Sequence, residues 1–223
     1  WISRKSVHAK YFTTAVADTS HFSASKTPIV VCFKTSSVEK ITLPGGSMLP
    51  PVVHDQFELQ GEIFQIAQFE PVYTKSSNSQ FIVELALQFI NAPYLWGGKS
   101  LFGIDCSGLT QVVFSMAGII LPRDASQQVE LGTVVDFLAE VQPGDLAFFE
   151  NSEGTINHVG ILINSHQIIH ASGCVKKEII DSQGIISSQT GEYSHHLRII
   201  KRVFSFGTDF GNMYKLNTFT FYI

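Results

Sequence analysis

Cys106 is the residue whose type and setting best suit nucleophilic chemistry. It lies in the segment Gly-Ile-Asp-Cys-Ser-Gly-Leu at 103–109, and an apolar run with helical spacing follows. A Cys in the first turn of a helix meets unpaired backbone N–H groups and the positive end of the helix dipole, and both favour the thiolate. The same N–H groups could stabilise an oxyanion beside the sulfur. Taken alone, this position favours a buried structural thiol, because a nucleophile also needs a base within reach.

Two histidines on neighbouring strand-like segments could supply the base and its orienting partner. His158 begins one apolar run and His170 lies near the end of the next, on either side of a short polar turn. Both rings face the same side if Gly160 lies opposite His170, which makes the two histidines diagonal neighbours. A three- or five-residue loop gives this register, and a four-residue loop does not. Under that condition, the spacing predicts a Cys106–His158–His170 triad.

The same three side chains could instead hold a catalytic zinc ion. Nothing in their spacing resembles a zinc signature, so we predict no metal and no cofactor. His195 and His196 are adjacent in the sequence, so their side chains should point to opposite faces of a strand and form no site. Cys32 and Cys174 are interpreted as buried, inert thiols.

The elements that carry these residues follow from the hydrophobic periodicity. One helix is predicted at 81–90, with Ser79 as a candidate cap and Pro93 ending it. A second helix should run from Cys106 to Ala117 and end at Gly118. After residue 141 the pattern indicates an antiparallel sheet. The predicted strands are 29–34, the two halves of 57–66, 146–149, 158–163, 167–171 and 197–203.

The chain divides into three regions. Residues 1–74 are interpreted as β-rich and built from short strands with polar turns, which suggests a small barrel. The polar stretch 75–80 reads as a linker, so 75–203 is predicted to be the catalytic domain. The tail 204–223 has no functional interpretation.

Composition narrows the function classes. The chain has 223 residues, of which 44% are hydrophobic and 15% charged, as in globular proteins. Its net charge of −4 does not favour binding to nucleic acid, and the sequence has no polybasic stretch that would bind anionic membranes. We find no apolar run long enough for a membrane span and no signal peptide. We therefore expect a cytoplasmic location, or the periplasm or cell envelope if a signal peptide has been lost.

Six segments of this chain together resemble the NlpC/P60 family of cell-wall peptidases. The resemblance covers about residues 80–203. The segments are PYLWGG at 93–98, GIDCSG at 103–108, LPRDASQQ at 121–128, QPGDL at 142–146, HVGI at 158–161 and IIHASG at 168–173.

This resemblance implies an α+β, papain-like fold, in which a helix bearing the Cys packs on an antiparallel sheet bearing the His. It also implies cleavage of peptidoglycan stem peptides at the γ-D-glutamyl bond to a diamino acid. By position, Cys106 is the nucleophile, His158 is the general base and acid, and His170 is the orienting residue.

The chain is most similar to the subgroup that carries bacterial SH3-like domains before the catalytic domain. Its members are γ-D-glutamyl-L-diamino acid endopeptidases, also called dipeptidyl-peptidase VI. The resemblance implies that Tyr94, Asp105 and Ser107 bind substrate. The Asp105 carboxylate could pair with the free α-amine of an L-Ala-γ-D-Glu stem and also cap the helix. Arg123 and Asp124 match the family motif and are interpreted as structural.

The N-terminal region departs from this pattern. Trp1-Ile2 resembles the end of an SH3-like barrel whose earlier strands are absent, and 27–72 resembles a second, degenerate one. The sequence thus predicts a monomeric wall-peptide endopeptidase without nucleic-acid partners. Two alternatives stay open: a non-catalytic wall-binding module, and a papain-like amidase or acyltransferase acting on another substrate.

Overall fold

The computed structural model describes residues 25–37, 39–67 and 79–203. The predicted incomplete barrel at Trp1, most of the predicted linker at 75–80 and the tail 204–223 lie outside these ranges. The helices are α1 (Gln80–Leu87), α2 (Cys106–Met116) and α3 (Ala125–Gln128), with one 3₁₀ turn at Leu138–Glu140. The strands are β1 (Ile29–Lys34), β2 (Lys40–Pro44), β3 (Gln56–Leu59), β4 (Glu62–Ile66), β5 (Lys99–Ser100), β6 (Gly103–Ile104), β7 (Thr133–Val135), β8 (Leu146–Glu150), β9 (Ile156–Asn164), β10 (Gln167–Ser172), β11 (Cys174–Ile180), β12 (Gly184–Ile186) and β13 (Tyr193–Arg202).

The first four strands form an antiparallel sheet in the order β2-β1-β4-β3. Gln60 and Gly61 both have positive φ, as a two-residue hairpin turn between β3 and β4 requires. Phe57 and Phe64 stack across this hairpin, with their ring centroids 5.2 Å apart. The predicted strand at 29–34 and the predicted hairpin at 57–66 are confirmed.

The larger sheet has the order β12-β11-β10-β9-β8-β13-β7, and β12 also pairs with β13. This extra pairing closes six of the strands into a barrel and leaves β7 at its edge, whereas the sequence predicted only a sheet. Leu146 and Phe148 of β8 pack in the core beneath the helices. Ala147 and Phe149 pack in a second core with other barrel residues. Burial of both faces explains why β8 is a continuous apolar run rather than an alternating one.

Helix α2 begins and ends where the sequence predicts. Its N-cap is Asp105, whose side chain accepts a hydrogen bond from the Gly108 N–H. After the last helical residue, Gly118 has a φ of 78°, which ends the helix in the left-handed conformation that glycine adopts without strain. Helix α2 packs against β9 and α1, so its N-terminus lies beside the barrel.

Helix α1 differs from its prediction in two respects. Ser79 precedes it, but the Ser79 side chain makes no capping hydrogen bond. The helix ends at Leu87 rather than at residue 90, well before Pro93. Pro93 instead lies in an extended segment and forms a β-bridge with Cys174.

The hairpin of β9 and β10 has the register that the triad requires, but a turn of a different length and a bulge produce this register. Asn164 pairs with Gln167 around a two-residue turn, so the predicted three- or five-residue loop is wrong. A bulge leaves Ile163 as an extra residue on β9, and beyond it Gly160 lies opposite His170. The bulge therefore restores the parity that a two-residue turn alone would have inverted.

Asp145 and Gln128 lie in the motifs at 142–146 and 121–128, and their hydrogen bonds connect neighbouring elements. Asp145 is buried and accepts two hydrogen bonds from Arg202, at 2.9 and 2.7 Å, which fasten the start of β8 to the end of β13. Gln128 of α3 is fully buried and bonds to the Thr110 hydroxyl and to the Ser107 carbonyl. This second set of bonds holds α3 against the first turns of α2.

The small sheet contacts the region 79–203 through helix α2. The Ser115 hydroxyl donates a 2.7 Å hydrogen bond to the Gly46 carbonyl. A Cβ on Gly46 would lie 2.9 Å from the Val112 carbonyl oxygen, and one on Gly45 would lie 2.9 Å from the Met116 sulfur. The two glycines thus allow the turn after β2 to sit directly on the helix. Among the residues that the structure describes, no helix is long and apolar enough to cross a membrane.

Candidate active site

Cys106 is the first residue of α2 and is only 8% exposed. Burial raises the pKa of its thiol above the usual value, and the charge of Asp105 acts in the same direction. Hydrogen bonds from the backbone N–H groups of Val159, Ser107 and Cys106 itself lower the pKa. These N–H groups favour the thiolate, as the sequence predicts, but burial raises the pKa of the thiol by more than they lower it. The resting thiol is therefore protonated at neutral pH and needs a base to become a nucleophile.

Two buried histidines on neighbouring strands, His158 and His170, are bonded to each other. His158 directly precedes Val159 on β9, and the Val159 N–H donates a hydrogen bond to the Cys106 sulfur. The Nε2 of His158 lies 2.9 Å from the Nδ1 of His170, and the two rings are perpendicular. Burial lowers the pKa of His158 well below its usual value, so its ring is neutral in the resting protein.

Glu178 on β11 extends this pair and was missed from the sequence. Its Oε2 lies 2.8 Å from the Nε2 of His170, and both side chains are fully buried. Its Oε1 accepts hydrogen bonds from the Ser188 N–H and hydroxyl, each at 2.9 Å, and from the Lys176 ammonium at 3.2 Å. Burial alone would raise the pKa of Glu178, but the hydrogen bonds from these three residues bring it far below its usual value.

A sequence signal for Glu178 did exist. His170 lies opposite Lys176 in the β10–β11 pair, so Glu178 is its diagonal neighbour on the same face. The same rule linked His158 to His170. The sequence does not predict a strand at 174–180, so this rule alone does not point to Glu178.

His195 also belongs to this cluster, so the prediction that it forms no site is wrong. Its ring stacks on that of His158, with centroids 4.0 Å apart and an angle of 26° between the planes. Burial lowers the pKa of His195 to about 4. His195 and His196 do differ in exposure, as opposite faces of a strand should. The sequence could not show that β13 crosses beside β8 and brings one of these faces to the active site.

The three imidazoles have nitrogen atoms within 4.8 Å of one another, but their geometry disfavours a metal. A ligating nitrogen uses a lone pair in the plane of its ring, and the nearly parallel planes of His158 and His195 do not meet near either ring. Both ring nitrogens of His170 already form hydrogen bonds. The arrangement suits proton transfer better than metal binding.

Asp105 links the start of α2 to two other segments. Its carboxylate accepts hydrogen bonds from the Gly108 N–H at 2.6 Å and the Gly97 N–H at 2.7 Å. Arg123 binds both of its oxygens and also donates to the Ser107 hydroxyl at 2.9 Å. Burial would raise the pKa of Asp105, but the hydrogen bonds from Arg123 and the two glycines lower it. Arg123 thus holds the helix start and the loop before it in one ionised network.

Tyr94 and its neighbours form the rim of the site. Tyr94 is 38% exposed, and Trp96 in the same loop is 85% exposed. Burial raises the pKa of Tyr94, and Cys106 and Asp105 raise it further because their charges lie near the phenol. The residues that the sequence predicted for the site lie on the loop before α2, at the start of α2, and on β9 and β10. They are Tyr94, Asp105, Cys106, Ser107, His158 and His170.

Comparison with known proteins yields a consistent set of relatives. The profile of the NlpC/P60 family matches residues 91–200. The chain is similar to the gamma-D-glutamyl-L-lysine dipeptidyl-peptidase of Bacillus subtilis (strain 168), with 30% identity over 80% of this chain and 61% of that protein. It is also similar to the protein of the same name from Bacillus cereus, with 37% identity over 40% of this chain and 27% of that protein.

The fold is similar to the crystal structure of an NlpC/P60 family protein from Bacillus cereus. The TM-score is 0.67 and the sequence identity 24%, and the match covers 82% of this chain and 63% of the other. The region 79–203 therefore has the papain-like fold of that family. The chain spans less than two thirds of the length of each of these three proteins.

Proposed function

Residues 91–200 of this chain belong to the NlpC/P60 family, and we propose that the protein is a cysteine peptidase that hydrolyses the γ-D-glutamyl bond to the diamino acid of peptidoglycan stem peptides. One observation carries this proposal. The buried Cys106 at a helix N-terminus accepts a hydrogen bond from the Val159 N–H, and the residue before Val159 on that strand is the neutral His158, which is bonded to His170. This is the arrangement that nucleophilic catalysis by a thiol needs.

The reaction follows from the protonation states of the free protein. The Cys106 thiol passes its proton to His158, and the thiolate attacks the carbonyl carbon of the scissile amide. Backbone N–H groups at the start of α2 stabilise the oxyanion. His158 then gives the proton to the leaving amine as the C–N bond breaks. A water molecule, deprotonated by His158, hydrolyses the thioester and restores the thiol.

Two observations support the proposed substrate: the names of the relatives and the residues at the rim of the site. The two Bacillus relatives are named for a γ-D-glutamyl-L-lysine bond. Tyr94, Asp105 and Ser107 adjoin the nucleophile and would contact the two residues that precede this bond. Asp105 would bind the free α-amine of L-Ala, sharing its carboxylate between that ammonium group and Arg123.

The small sheet supports a further part of the proposal, that residues before the catalytic region form an SH3-like module. Four short antiparallel strands with tight turns and a small apolar core are consistent with such a module. Its contact with α2 through Gly46 and Ser115 would fix it beside the catalytic region.

A digest of defined stem peptides tests the proposal. L-Ala-γ-D-Glu-L-Lys and its meso-diaminopimelate counterpart should each be tried, with product detection by mass spectrometry. We expect release of L-Ala-D-Glu from at least one of them, and little release from its Nα-acetylated form. Asp105→Asn should reduce the preference for the free amine. Failure to cleave either peptide would refute the proposed substrate class, and equal cleavage of the acetylated form would refute the role of Asp105.

A further inference from the structure

We propose that Glu178 is a positioning residue that fixes the ring protons of both active-site histidines, so that the reactive nitrogen of His158 is its Nδ1. The inference rests on the proposed function in that it takes His158 to be the base for Cys106. It adds a fourth member to the three-residue site.

The first step concerns the bond between Glu178 and His170. A carboxylate can only accept hydrogen bonds, and the pKa of Glu178 lies far below its usual range, so it stays ionised at any working pH. The 2.8 Å contact to its Oε2 therefore requires a proton on the Nε2 of His170. With this single ring proton, His170 has an unprotonated Nδ1.

The second step passes this constraint to His158. The unprotonated Nδ1 of His170 accepts a hydrogen bond at 2.9 Å, so the Nε2 of His158 must be the donor. A neutral His158 is then left with its lone pair on Nδ1, ready to take the proton of Cys106. The reversed pattern keeps the histidine–histidine bond but places a proton on the Nδ1 of His158, which cannot then act as a base. The group beyond His170 therefore selects between the two patterns.

The third step concerns the hydrogen bonds that hold the Glu178 carboxylate in one orientation. The Oε1 of Glu178 receives the Ser188 N–H, the Ser188 hydroxyl and the Lys176 ammonium. These donors fix the carboxylate plane, with Oε2 directed at His170. In Glu178→Gln the single carbonyl oxygen would remain with the same donors, and the NH₂ group would face His170. The Nε2 of His170 would have to accept, and the reversed pattern would follow.

Two measurements that need no wall peptide test this inference. The first is ¹⁵N NMR of the histidine rings in the wild type, in which both His158 and His170 should carry their proton on Nε2. The second is the rate of Cys106 alkylation by iodoacetamide between pH 5 and 9. Glu178→Gln should slow alkylation by about 10²-fold or more, since the wrong tautomer in an analogous triad costs about 10⁴-fold in kcat.

Matched variants separate positioning from a loss of structure. Glu153→Gln makes the same chemical change on the exposed surface and should leave alkylation unchanged. Ser188→Ala keeps the carboxylate and should slow alkylation by less than about threefold. A wild-type protein with the proton of His158 on Nδ1 would overturn the inference even if Glu178→Gln does not fold. So would a folded Glu178→Gln that is alkylated at the wild-type rate.

The two proposals fail in different ways. If the wild type does not cleave stem peptides but shows the expected tautomers and the slow alkylation of Glu178→Gln, the substrate is wrong and the role of Glu178 stands. Cleavage by a wild type with the reversed ring protons would refute the role of Glu178 and leave the substrate assignment intact.

Discussion

Two buried carboxylates hold the chemical groups of the site in place from opposite sides. Asp105 bonds to the loop and to Arg123 on the nucleophile side, and Glu178 bonds to His170 on the base side. Both have a lowered pKa, because hydrogen bonds to the ionised form outweigh the cost of burial. Each carboxylate should therefore depend on its donors for its contribution to stability.

Replacing Arg123 tests this dependence on the nucleophile side. Arg123→Met keeps an apolar stem but leaves the buried Asp105 without its cation, so we expect a loss of about 2 kcal/mol in the free energy of unfolding at pH 7. Urea denaturation measures it. Arg198→Met is the matched control, because the Arg198–Glu150 pair is exposed at the arginine and should contribute less than about 1 kcal/mol.

The pH dependence of the Arg123→Met effect has a defined sign. The folded-state pKa of Asp105 is lowered, so its stabilisation is present above the unfolded value of about 4 and is lost as the pH falls through the folded value. The difference between wild type and variant should therefore shrink below pH 4. A difference of the same size at pH 3 and pH 7 would contradict the ionised pair.

At the scale of elements, strand pairing determines which side chains meet. The bulge at Ile163 aligns His158 with His170, and the pairing of β12 with β13 closes the barrel and holds His195 against His158. Gly184 makes that closure possible: its φ is 153°, and a Cβ there would clash with the His195 carbonyl oxygen.

Gly184→Ala should therefore disturb both stability and chemistry. The strand would have to move away from β13 and draw His195 off the His158 ring, with a loss of at least about 2 kcal/mol from backbone strain and contact. Slower alkylation of Cys106 should accompany it. Gly173→Ala is the control: its φ is 73°, but a Cβ there meets nothing within 4 Å, so only backbone strain of about 1–2 kcal/mol applies. Equal losses in both variants would refute the close approach.

Features of the site that depend on residues close in sequence could be predicted, and those that depend on pairing between distant strands could not. The helix that starts at Cys106 is a local feature, and periodicity predicted it. Pairing parity predicted the diagonal relation of His158 to His170 only for certain loop lengths, and the observed loop is not one of them. Glu178 and His195 required the neighbours of strands β11 and β13 to be known. The bulge at Ile163 was also beyond prediction, because a bulge changes register without leaving a fixed residue signature.

Across the whole molecule, burial in the barrel makes stability depend on pH. The pKa of His195 is lowered to about 4, and that of His158 is also lowered. Since an unfolded histidine takes up its proton near pH 6.5, acid favours the unfolded chain before it protonates the folded one. These two groups therefore contribute full stability above about pH 6.5, and His195 loses its contribution as the pH falls towards 4.

His195→Phe should flatten this part of the stability curve. Phenylalanine can stack on His158 but cannot be protonated, so Tm should fall less between pH 6.5 and 4 than in the wild type, with a similar Tm at pH 7.5. Scanning calorimetry across this range measures it. His196→Phe, which changes the exposed neighbour, should keep the wild-type slope. A His195→Phe curve parallel to that of the wild type would show that His195 does not titrate in this window.

Cys106 is the proposed nucleophile for hydrolysis of the γ-D-glutamyl bond. The most direct measurement is the rate of L-Ala-D-Glu release from L-Ala-γ-D-Glu-L-Lys, or from its diaminopimelate counterpart, by Cys106→Ala and by Cys174→Ala. Cys174 is a partly buried thiol on β11 outside the triad. We expect Cys174→Ala to retain the wild-type rate and Cys106→Ala to lose at least about 10³-fold. Release by Cys106→Ala at a rate near that of the wild type would show that Cys106 is not the nucleophile.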